Sequence, residues 1–335
     1  FTGPNALELD STSVESRYFL IATGARPRPL DFVGADHLID STEFLNLEHL
    51  PPRIVFVGGG FISFEFAHIV VRAGARATII DRGARPLKGF DPDLVELLVR
   101  RGRDVGINLH RKTTVSSVTT NGSTYSITLD TNGEASSIDA DLVVHGAGRI
   151  PHLDSLNPEG ANVAHGERGV ITAAHLQSTT NPAVYAAGDA ADTPGMPLTP
   201  VAVFEAKVAT SNMLKGKTTN PDYAGIPTAV FTVPELARVG LLETDARAQG
   251  LDVDVRYTDT SSWYSNYRVG ESTAAVKILV DKTNDTIVGA HMVGPEYGEL
   301  INFCALAIKL GLTTRQLKSM TAAYPTVGSD LGSML

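Results

Sequence analysis

The sequence predicts an α/β protein whose C-terminal third forms a separate α+β domain. Three observations lead to this fold class. Residues 54–82 read as a strand, a glycine turn, a helix and a second strand; residues 183–189 read as a short strand that ends in Gly-Asp; and alternating strands follow from about residue 225. Glycine turns between strands and helices are typical of parallel sheets, and clustered strands with one helix are typical of α+β domains.

The composition fits a globular protein and excludes several classes of function. The 335 residues are 43% hydrophobic and 19% charged, which is enough material for packed cores. No run approaches the roughly 18 apolar residues of a membrane helix, and no signal peptide is visible, so we expect a cytoplasmic protein without a membrane partner. The formal net charge of −9 argues against nucleic acid as a partner. Cys304, the sole cysteine, is expected to be buried filler.

A glycine turn joins a strand to a helix at residues 54–73. The apolar run 54–57 leads into Gly58, which permits a tight turn, and Gly60, which lets the backbone approach a pyrophosphate. Ser63 stands where a third glycine is usual, and its small side chain still allows the helix to pack closely on the strand. The strand and helix on either side of this turn predict a dinucleotide-binding site.

The residues after the second strand leave the type of nucleotide open. Asp81 follows Gly58 at about the 20-residue spacing of a carboxylate that binds the ribose 2′-hydroxyl, which favours NAD. Arg82, Arg85 and Lys88 could instead pair with a 2′-phosphate, which favours NADP. NADH and NADPH are therefore equal candidates.

A second ligand-binding edge is predicted at Gly188 and Asp189. They follow the short strand 183–187, and a carboxylate at the C-terminal end of a strand can hold a sugar or ribitol hydroxyl. Further on, Leu198 and Thr199 precede a proline and open a helix, with Thr199 as the predicted N-cap. The partial positive charge at such a helix start would stabilise an electron-rich ring.

Taken in order, these motifs resemble the pyridine nucleotide-disulfide oxidoreductases, the family that includes glutathione reductase, dihydrolipoamide dehydrogenase and mercuric reductase. The motifs are Ala22-Thr23-Gly24, the glycine turn with Glu65 in its helix, Gly146-Ala147-Gly148-Arg149-Ile150-Pro151, Ala187-Gly188-Asp189, and Leu198-Thr199-Pro200. The resemblance extends over essentially the whole chain, and it implies an FAD-dependent NAD(P)H oxidoreductase.

The resemblance assigns expected roles to single residues. Asp189 would bind the ribitol chain of the flavin, and the helix that starts at Thr199 would point its N-terminus at the flavin pyrimidine ring. Phe61 matches an aromatic residue that lies over the flavin until nicotinamide displaces it. Glu65 matches an acid that pairs with a lysine beside the flavin N5.

The resemblance also implies a domain order and a second set of cofactor-binding turns. Residues 50–148 would form a Rossmann-like NAD(P)-binding domain, inserted in a partial FAD-binding domain made of residues 1–49 and 149–222. Residues 223–335 would form an α+β dimerisation domain, so we expect a homodimer. The motifs place Thr23 and Gly24 in the first FAD segment and Gly148 at the end of the NAD(P) domain, and we expect all three to contact cofactor.

Two departures from the family limit the expected activity. The family's N-terminal FAD fingerprint and redox-active cysteine pair are not in this sequence, so we expect upstream sequence to be absent and the chain by itself to bind FAD poorly. In the segment 324–330, Tyr324 occupies the place of the catalytic histidine, and Ser329 that of its acidic partner, with Asp330 one residue later. A phenol with a pKa of about 10 shuttles protons poorly near neutrality, so ordinary glutathione or dihydrolipoamide turnover is not expected.

Three functions remain open on the sequence alone. The first is a reductase with a small-molecule or small thiol/disulfide acceptor. The second is an NAD(P)H oxidase or diaphorase without a thiol relay, and the third is a non-catalytic nucleotide-binding dimer module. Tyr324 would act as a weak acid or hydrogen-bond donor to substrate, or else it packs against a neighbouring subunit.

Overall fold

A computed structural model describes residues 1–216 and 218–335 of the chain. The strands are β1 Ala6–Leu9, β2 Thr12–Glu15, β3 Phe19–Ile21, β4 Ala25–Pro27, β5 Arg53–Val57, β6 Arg76–Asp81, β7 Ile107–Arg111, β8 Thr113–Asn121, β9 Thr124–Thr131, β10 Glu134–Ala140, β11 Leu142–His145, β12 Arg149–Pro151, β13 His165–Gly166, β14 Gly169–Ile171, β15 Val184–Ala186, β16 Ala191–Asp192, β17 Thr228–Val230, β18 Glu235–Gly240, β19 Val253–Asp259, β20 Ala275–Asp281 and β21 Thr286–Gly294. The helices are α1 Ser41–Leu45, α2 Phe61–Arg72, α3 Pro92–Asp104, α4 Thr199–Lys215, α5 Glu243–Ala248, α6 Tyr264–Tyr267, α7 Tyr297–Leu310, α8 Thr314–Lys318 and α9 Leu331–Met334.

The chain divides into two compact units. The first unit joins Phe1–Arg28 to Arg149–Tyr223, and the second joins Pro29–Gly148 to Ala224–Leu335. Each unit is thus assembled from two separate stretches of chain. In the part of the chain that the structure describes, no helix is both long and apolar enough to cross a membrane.

The second unit contains the parallel sheet that the sequence predicts at residues 54–82. Its strand order is β11-β5-β6-β7, and all three neighbouring pairs are parallel. β5 is buried from its second residue onward, as expected of a strand that is covered on both faces. Phe56, Ile79, Leu94 and Leu98 are fully buried in the core of this unit, and each contributes about 1.5–3 kcal/mol of hydrophobic stabilisation.

A five-stranded antiparallel sheet forms the C-terminal part of the second unit, with the order β17-β18-β21-β20-β19. The predicted hairpin is present, because β20 pairs with β21 across the turn after Asp281. Buried residues of α7, among them Leu300 and Cys304, pack on this sheet, and Gly311 ends the helix in the left-handed conformation. The α+β prediction for the C-terminal third is therefore confirmed.

Sequence patterns missed two sets of strands in the second unit. β18 lies between β17 and β21, although its residues ELARVG follow a proline and mix polar with apolar side chains. β8, β9 and β10 form an antiparallel sheet whose outer strands are rich in serine and threonine. Cross-strand pairing, which a local sequence pattern does not reveal, determines both.

The first unit is built from short strand pairs. β15 pairs with β3 in parallel, so the predicted strands at residues 18–23 and 183–187 lie side by side. β12 pairs with β4 in the antiparallel sense, and β14 lies between β13 and β16. The parallel pair brings the ends of β3 and β15, with the turns that follow them, to the same edge.

Candidate functional site

Gly58 forms the turn after β5 because no other residue fits there. Its φ is +115°, and a Cβ atom would lie 2.3 Å from the carbonyl oxygen of Gly146 and 2.7 Å from the Cα of Ala147. Its N–H donates to the carbonyl oxygen of Ile80 at 2.8 Å. The tight turn predicted from the sequence is thus enforced by the backbone that follows the neighbouring strand β11.

Gly60 begins α2 under different constraints. Its φ of −89° suits any residue, and the nearest atom to an added Cβ is the Gly146 carbonyl oxygen at 3.6 Å. No side chain caps the helix start, so its first N–H groups lack both intrahelical partners and a capping side chain. This is the arrangement that accommodates the negative charge of a pyrophosphate.

Ser63 takes the packing position predicted for the third glycine. It is fully buried, and its Oγ lies only 2.1 Å from where a Cβ of Gly146 would be. In the described residues, this Oγ has no hydrogen-bond partner. The absence of a side chain at Gly146 therefore makes room for the hydroxymethyl group of Ser63. No local sequence pattern indicates this contact.

Asp81 ends β6 with its carboxylate against the glycine turn. The residue is 7% exposed, its Oδ1 accepts the N–H of Gly83 at 3.0 Å, and a Cβ on Gly59 would lie 2.4 Å from its Oδ2. Arg82 is exposed, whereas Arg85 donates to the carbonyl oxygen of Lys88 at 3.1 Å. A fixed carboxylate beside the turn is suited to accept a ribose hydroxyl and to repel a phosphate at the same place.

Asp81→Asn is expected to weaken NADH binding about tenfold while leaving NADPH binding unchanged or improved. Charge-assisted hydrogen bonds contribute about 1.5–3 kcal/mol, and the variant keeps an acceptor oxygen but loses the charge. Calorimetric titration with both nucleotides measures the effect. Asp139→Asn, an exposed acid on β10, is the matched control. Equal losses for NADH and NADPH would rule out the discriminating role of Asp81.

In the first unit, Thr23 and Gly24 form the turn after β3. The Thr23 hydroxyl donates to the carbonyl oxygen of His152 at 2.6 Å, and the Gly24 carbonyl accepts the His152 N–H at 2.9 Å. Gly24 has φ of +69°, and no atom lies within 4 Å of an added Cβ. In the second unit, Gly148 also has a positive φ, of +103°. The structure fixes these turns, and their contact with cofactor stays a prediction.

Gly188 and Asp189 lie at the C-terminal end of β15, as predicted. Gly188 has φ of +65°, and a Cβ there would lie 2.8 Å from the Cβ of Ala202 on α4. The half-buried Asp189 carboxylate accepts no hydrogen bond from any residue within 1–216 or 218–335. Its lone pairs are therefore available to the hydroxyls of a ligand.

The predicted cap of α4 is wrong. Thr199 is the first helical residue, and Leu198, in extended conformation, is the N-cap without any side-chain hydrogen bond. A proline in the first turn favours this start, because its missing N–H is one that a helix leaves unpaired. Because no side chain caps α4, its first N–H groups are more accessible to a ligand than they would be under a threonine cap.

Phe61 and Glu65 lie on α2 in the second unit. Phe61 is 50% exposed at the start of the helix, so its ring is accessible to a ligand. The Glu65 Oε1 accepts the Phe231 N–H at 2.9 Å; burial raises the pKa of Glu65, and this hydrogen bond partly opposes the rise. The pairing of Glu65 with a lysine stays a prediction.

The C-terminal segment presents Tyr324 to solvent. Its side chain is 79% exposed, and Asp330, the nearby acid, instead accepts a hydrogen bond from the hydroxyl of Ser265. Ser329 donates to the carbonyl oxygen of Thr326 at 2.6 Å. Cys304 is buried in the core, as predicted, and burial raises the pKa of its thiol to about 12.

Both sets of turns fit the groups that the sequence implies. The uncapped start of α2 with Asp81 beside it suits the pyrophosphate and ribose of a nicotinamide nucleotide. The unpartnered Asp189 and the uncapped start of α4 suit the ribitol and the electron-rich ring of a flavin. Within the described ranges, no group of three His, Cys, Asp or Glu side chains is placed to hold a metal ion. These features define an α/β protein with two edges suited to dinucleotide cofactors.

Comparison with known proteins identifies the family. Residues 1–206 match the sequence profile of the pyridine nucleotide-disulphide oxidoreductases, and residues 226–334 match the dimerisation domain of the same family. The chain belongs to the pyridine nucleotide-disulphide oxidoreductase family, whose members use FAD and NAD(P)H. The predicted family, cofactors, fold class and dimerisation domain are thereby confirmed.

Individual relatives cover most of this chain but are themselves longer. A glutathione reductase of Burkholderia cepacia is 34% identical over 98% of this chain and 72% of its own length. A mercuric reductase of Bacillus cereus is 31% identical over 99% of this chain, which spans about half, 52%, of that enzyme. The HOCl-induced flavoprotein disulfide reductase RclA of Escherichia coli matches the fold with a TM-score of 0.91 at 23% identity, over 100% of this chain and 77% of that one.

Proposed function

We propose that the protein is an FAD-dependent NAD(P)H oxidoreductase of the disulfide-reductase type that works as a homodimer. The observation that carries the proposal is that one chain has two edges at which a carboxylate lies near an uncapped helix start. One is the glycine turn with Asp81 in the second unit, and the other is Asp189 with the start of α4 in the first unit. The family's dimerisation domain at residues 226–334 supports the homodimer. A cytoplasmic location stays a prediction of the sequence.

Each cofactor-facing residue has one proposed task. When bound, FAD supplies the capacity to take hydride from a nicotinamide and to pass electrons to an acceptor. The start of α2 holds the nucleotide pyrophosphate, and Asp81 holds its ribose. Asp189 accepts hydrogen bonds from ribitol hydroxyls, and the positive end of α4 stabilises negative charge on the ring. Phe61, half-exposed at the start of α2, lies over the flavin until the nicotinamide displaces it.

We propose NADH rather than NADPH as the preferred donor. The Asp81 carboxylate is held in place by Gly83 and packs against Gly59, so it cannot withdraw easily from a 2′-phosphate. Arg82 is exposed on the surface, and Arg85 is already engaged with a backbone carbonyl. The nearly buried Asp81 carboxylate should repel a 2′-phosphate more strongly than the flexible, exposed Arg82 side chain attracts it, because solvent screens the charge of Arg82.

The acceptor is proposed to be a small molecule or a small disulfide, which takes up two electrons and leaves as the thiol. The names of the relatives suggest glutathione disulfide and mercuric ion as acceptors to test, although Tyr324 in the place of the histidine argues against ordinary glutathione turnover. Tyr324, where the family has its catalytic histidine, favours a second candidate function: a diaphorase that reduces quinones or oxygen without a thiol relay. A phenol hydroxyl can donate a hydrogen bond to an acceptor without a thiol relay.

An acceptor panel on the full-length protein separates these functions. NADH oxidation would be followed with glutathione disulfide, lipoamide, mercuric ion, a soluble quinone and oxygen in turn. Turnover with a disulfide or with mercuric ion supports the reductase, and turnover confined to quinone or oxygen supports the diaphorase. NADH binding without oxidation by any acceptor would leave only the non-catalytic module.

We propose that the Tyr324 hydroxyl donates a proton or a hydrogen bond to the acceptor. Tyr324→Phe is therefore expected to lower turnover with the acceptor that the panel identifies by about 100-fold. Turnover with ferricyanide, a one-electron acceptor that takes up no proton, should be unchanged. The control is Tyr267→Phe, since Tyr267 is likewise exposed at 75% but lies outside the C-terminal segment. Unchanged turnover of Tyr324→Phe with every acceptor would reduce Tyr324 to a packing residue.

A further inference from the structure

A buried carboxylate lies behind the proposed flavin-binding edge of the first unit. Glu205 is on α4, is fully inaccessible to solvent, and accepts three hydrogen bonds from neutral donors. Its Oε2 accepts the Gly188 N–H at 2.7 Å, and its Oε1 accepts the hydroxyls of Thr193 and Tyr223, each at 2.7 Å. An acid at this depth is costly to bury, so it requires a full set of donors.

The three donors lie in the Asp189 turn, in the loop before α4, and at Tyr223 beyond the end of α4. Gly188 belongs to the turn that carries Asp189, and Thr193 lies in the loop that leads to the start of α4. The Thr193 hydroxyl also accepts the Gly195 N–H at 3.2 Å, and a Cβ on Gly195 would lie 2.8 Å from the Glu205 carboxylate. The Glu205 carboxylate therefore accepts hydrogen bonds both from the turn that carries Asp189 and from the loop that leads to α4.

We propose that Glu205 is the positioning residue of the flavin site, which sets the Asp189 turn and the start of α4 in the arrangement that binds the ribitol and ring of FAD. The inference rests on the proposed function, because it presumes that these two elements bind flavin. Gly188 cannot supply the rigidity itself, since a glycine with φ of +65° is free to adopt many other conformations. The Gly188 N–H, the Thr193 hydroxyl and the Tyr223 hydroxyl all converge on the two oxygens of this one side chain, so Glu205 holds the turn from outside.

Tyr223 supports this arrangement from the end of the first unit. Burial raises the pKa of Tyr223, and its hydrogen bond to Glu205 raises it further. The phenol therefore stays protonated and remains a donor over the physiological range of pH. Phe204, the residue before Glu205, packs edge-on against the Tyr223 ring at a centroid distance of 6.4 Å, which limits the movement of the phenol.

The test compares Glu205→Leu with Glu205→Gln in the full-length protein. Leucine fills a similar volume but accepts no hydrogen bond, so FAD should bind at least about tenfold more weakly. Glutamine retains a carbonyl oxygen for the Gly188 N–H, so its affinity for FAD should stay within about threefold of the wild type. Flavin fluorescence measures binding, and the position of the visible flavin band reports the environment of the ring.

Amide hydrogen exchange of the flavin-free proteins separates positioning from general stability. Glu205→Leu should accelerate exchange over residues 188–198 and leave the rest of the first unit close to wild type. If the leucine variant does not fold, Tyr223→Phe replaces it. This variant removes one of the three donors and should weaken FAD binding about fivefold, beyond the range expected for Glu205→Gln, and wild-type affinity would then overturn the proposal. Acceleration spread over the whole first unit, or wild-type FAD affinity in Glu205→Leu, would overturn the proposal.

The outcome also distinguishes a failed inference from a failed function. If exchange accelerates at residues 188–198 as expected but the wild-type protein takes up no FAD, the carboxylate organises these segments for something other than flavin, and the proposed function fails. If the wild type binds FAD and both variants bind it equally well, the proposed function stands and the role of Glu205 is rejected.

Discussion

Gly60→Ala is expected to weaken NADH binding at least about tenfold while lowering the free energy of unfolding by no more than about 1 kcal/mol, the cost of a poorer N-cap. The backbone of Gly60 already has dihedral angles that alanine adopts, and the nearest atom to the new methyl group is 3.6 Å away, so the fold has room for it. The methyl group would instead occupy space that the pyrophosphate needs at the start of α2. Calorimetric titration gives the affinity, and urea denaturation gives the free energy of unfolding.

Gly58→Ala, two residues earlier, provides the contrasting variant. There the methyl group meets backbone atoms at 2.3–2.7 Å with a φ of +115°, so we expect a loss of about 3 kcal/mol or more in the free energy of unfolding. The pair thus separates a glycine that the fold requires from one that the ligand requires. Wild-type NADH affinity in Gly60→Ala would mean that the nucleotide does not approach this turn.

Lys277→Met is expected to lower the free energy of unfolding by about 3–5 kcal/mol, because it leaves a buried carboxylate without its partner. Lys277 is 4% exposed on β20, and its ammonium group pairs with Asp91 at 2.8 Å and also with Asp93. Asp91 is 2% exposed and is the N-cap of α3, where it accepts the N–H groups of Asp93 and Leu94. Losing the lysine therefore affects both the α3 cap and the five-stranded sheet.

Lys282→Met is the matched control for this loss. Lys282 pairs with Asp252 at the same distance, 2.8 Å, but both side chains are more than half exposed. Exposed ion pairs contribute about 0–1 kcal/mol, so urea denaturation should barely distinguish this variant from wild type. Similar losses in the two lysine variants would show that burial does not decide the contribution of the pair.

The sequence predicted those parts of the fold whose signals are local. The glycine turn with Ser63, the strand that ends at Asp81 and the helix that ends at Gly311 each depend on a few neighbouring residues, and the structure places them as expected. Turn chemistry and apolar periodicity are properties of short segments, so a single sequence reveals them. The start of α4 was off by one residue, because Thr199 resembles an N-cap by residue type although its side chain caps nothing.

The parts that were missed depend on contacts between distant segments. Gly146 makes room for Ser63 on a helix far earlier in the chain, and the sequence around either residue gives no sign of it. No sequence pattern singles out Glu205, because an acid in a helix usually turns its side chain to solvent. Only the fold shows that its three donors come from three segments.

We propose that this protein holds a nicotinamide nucleotide at the glycine turn and a flavin at the Asp189 edge, and that hydride passes from the nicotinamide to the flavin. The most direct test is the visible absorption spectrum of the purified full-length protein before and after anaerobic addition of NADH or NADPH. We expect a bound flavin that NADH bleaches and that NADPH bleaches more slowly. A protein that binds FAD but is bleached by neither nucleotide, or one that carries no flavin after incubation with excess FAD, would contradict the claim.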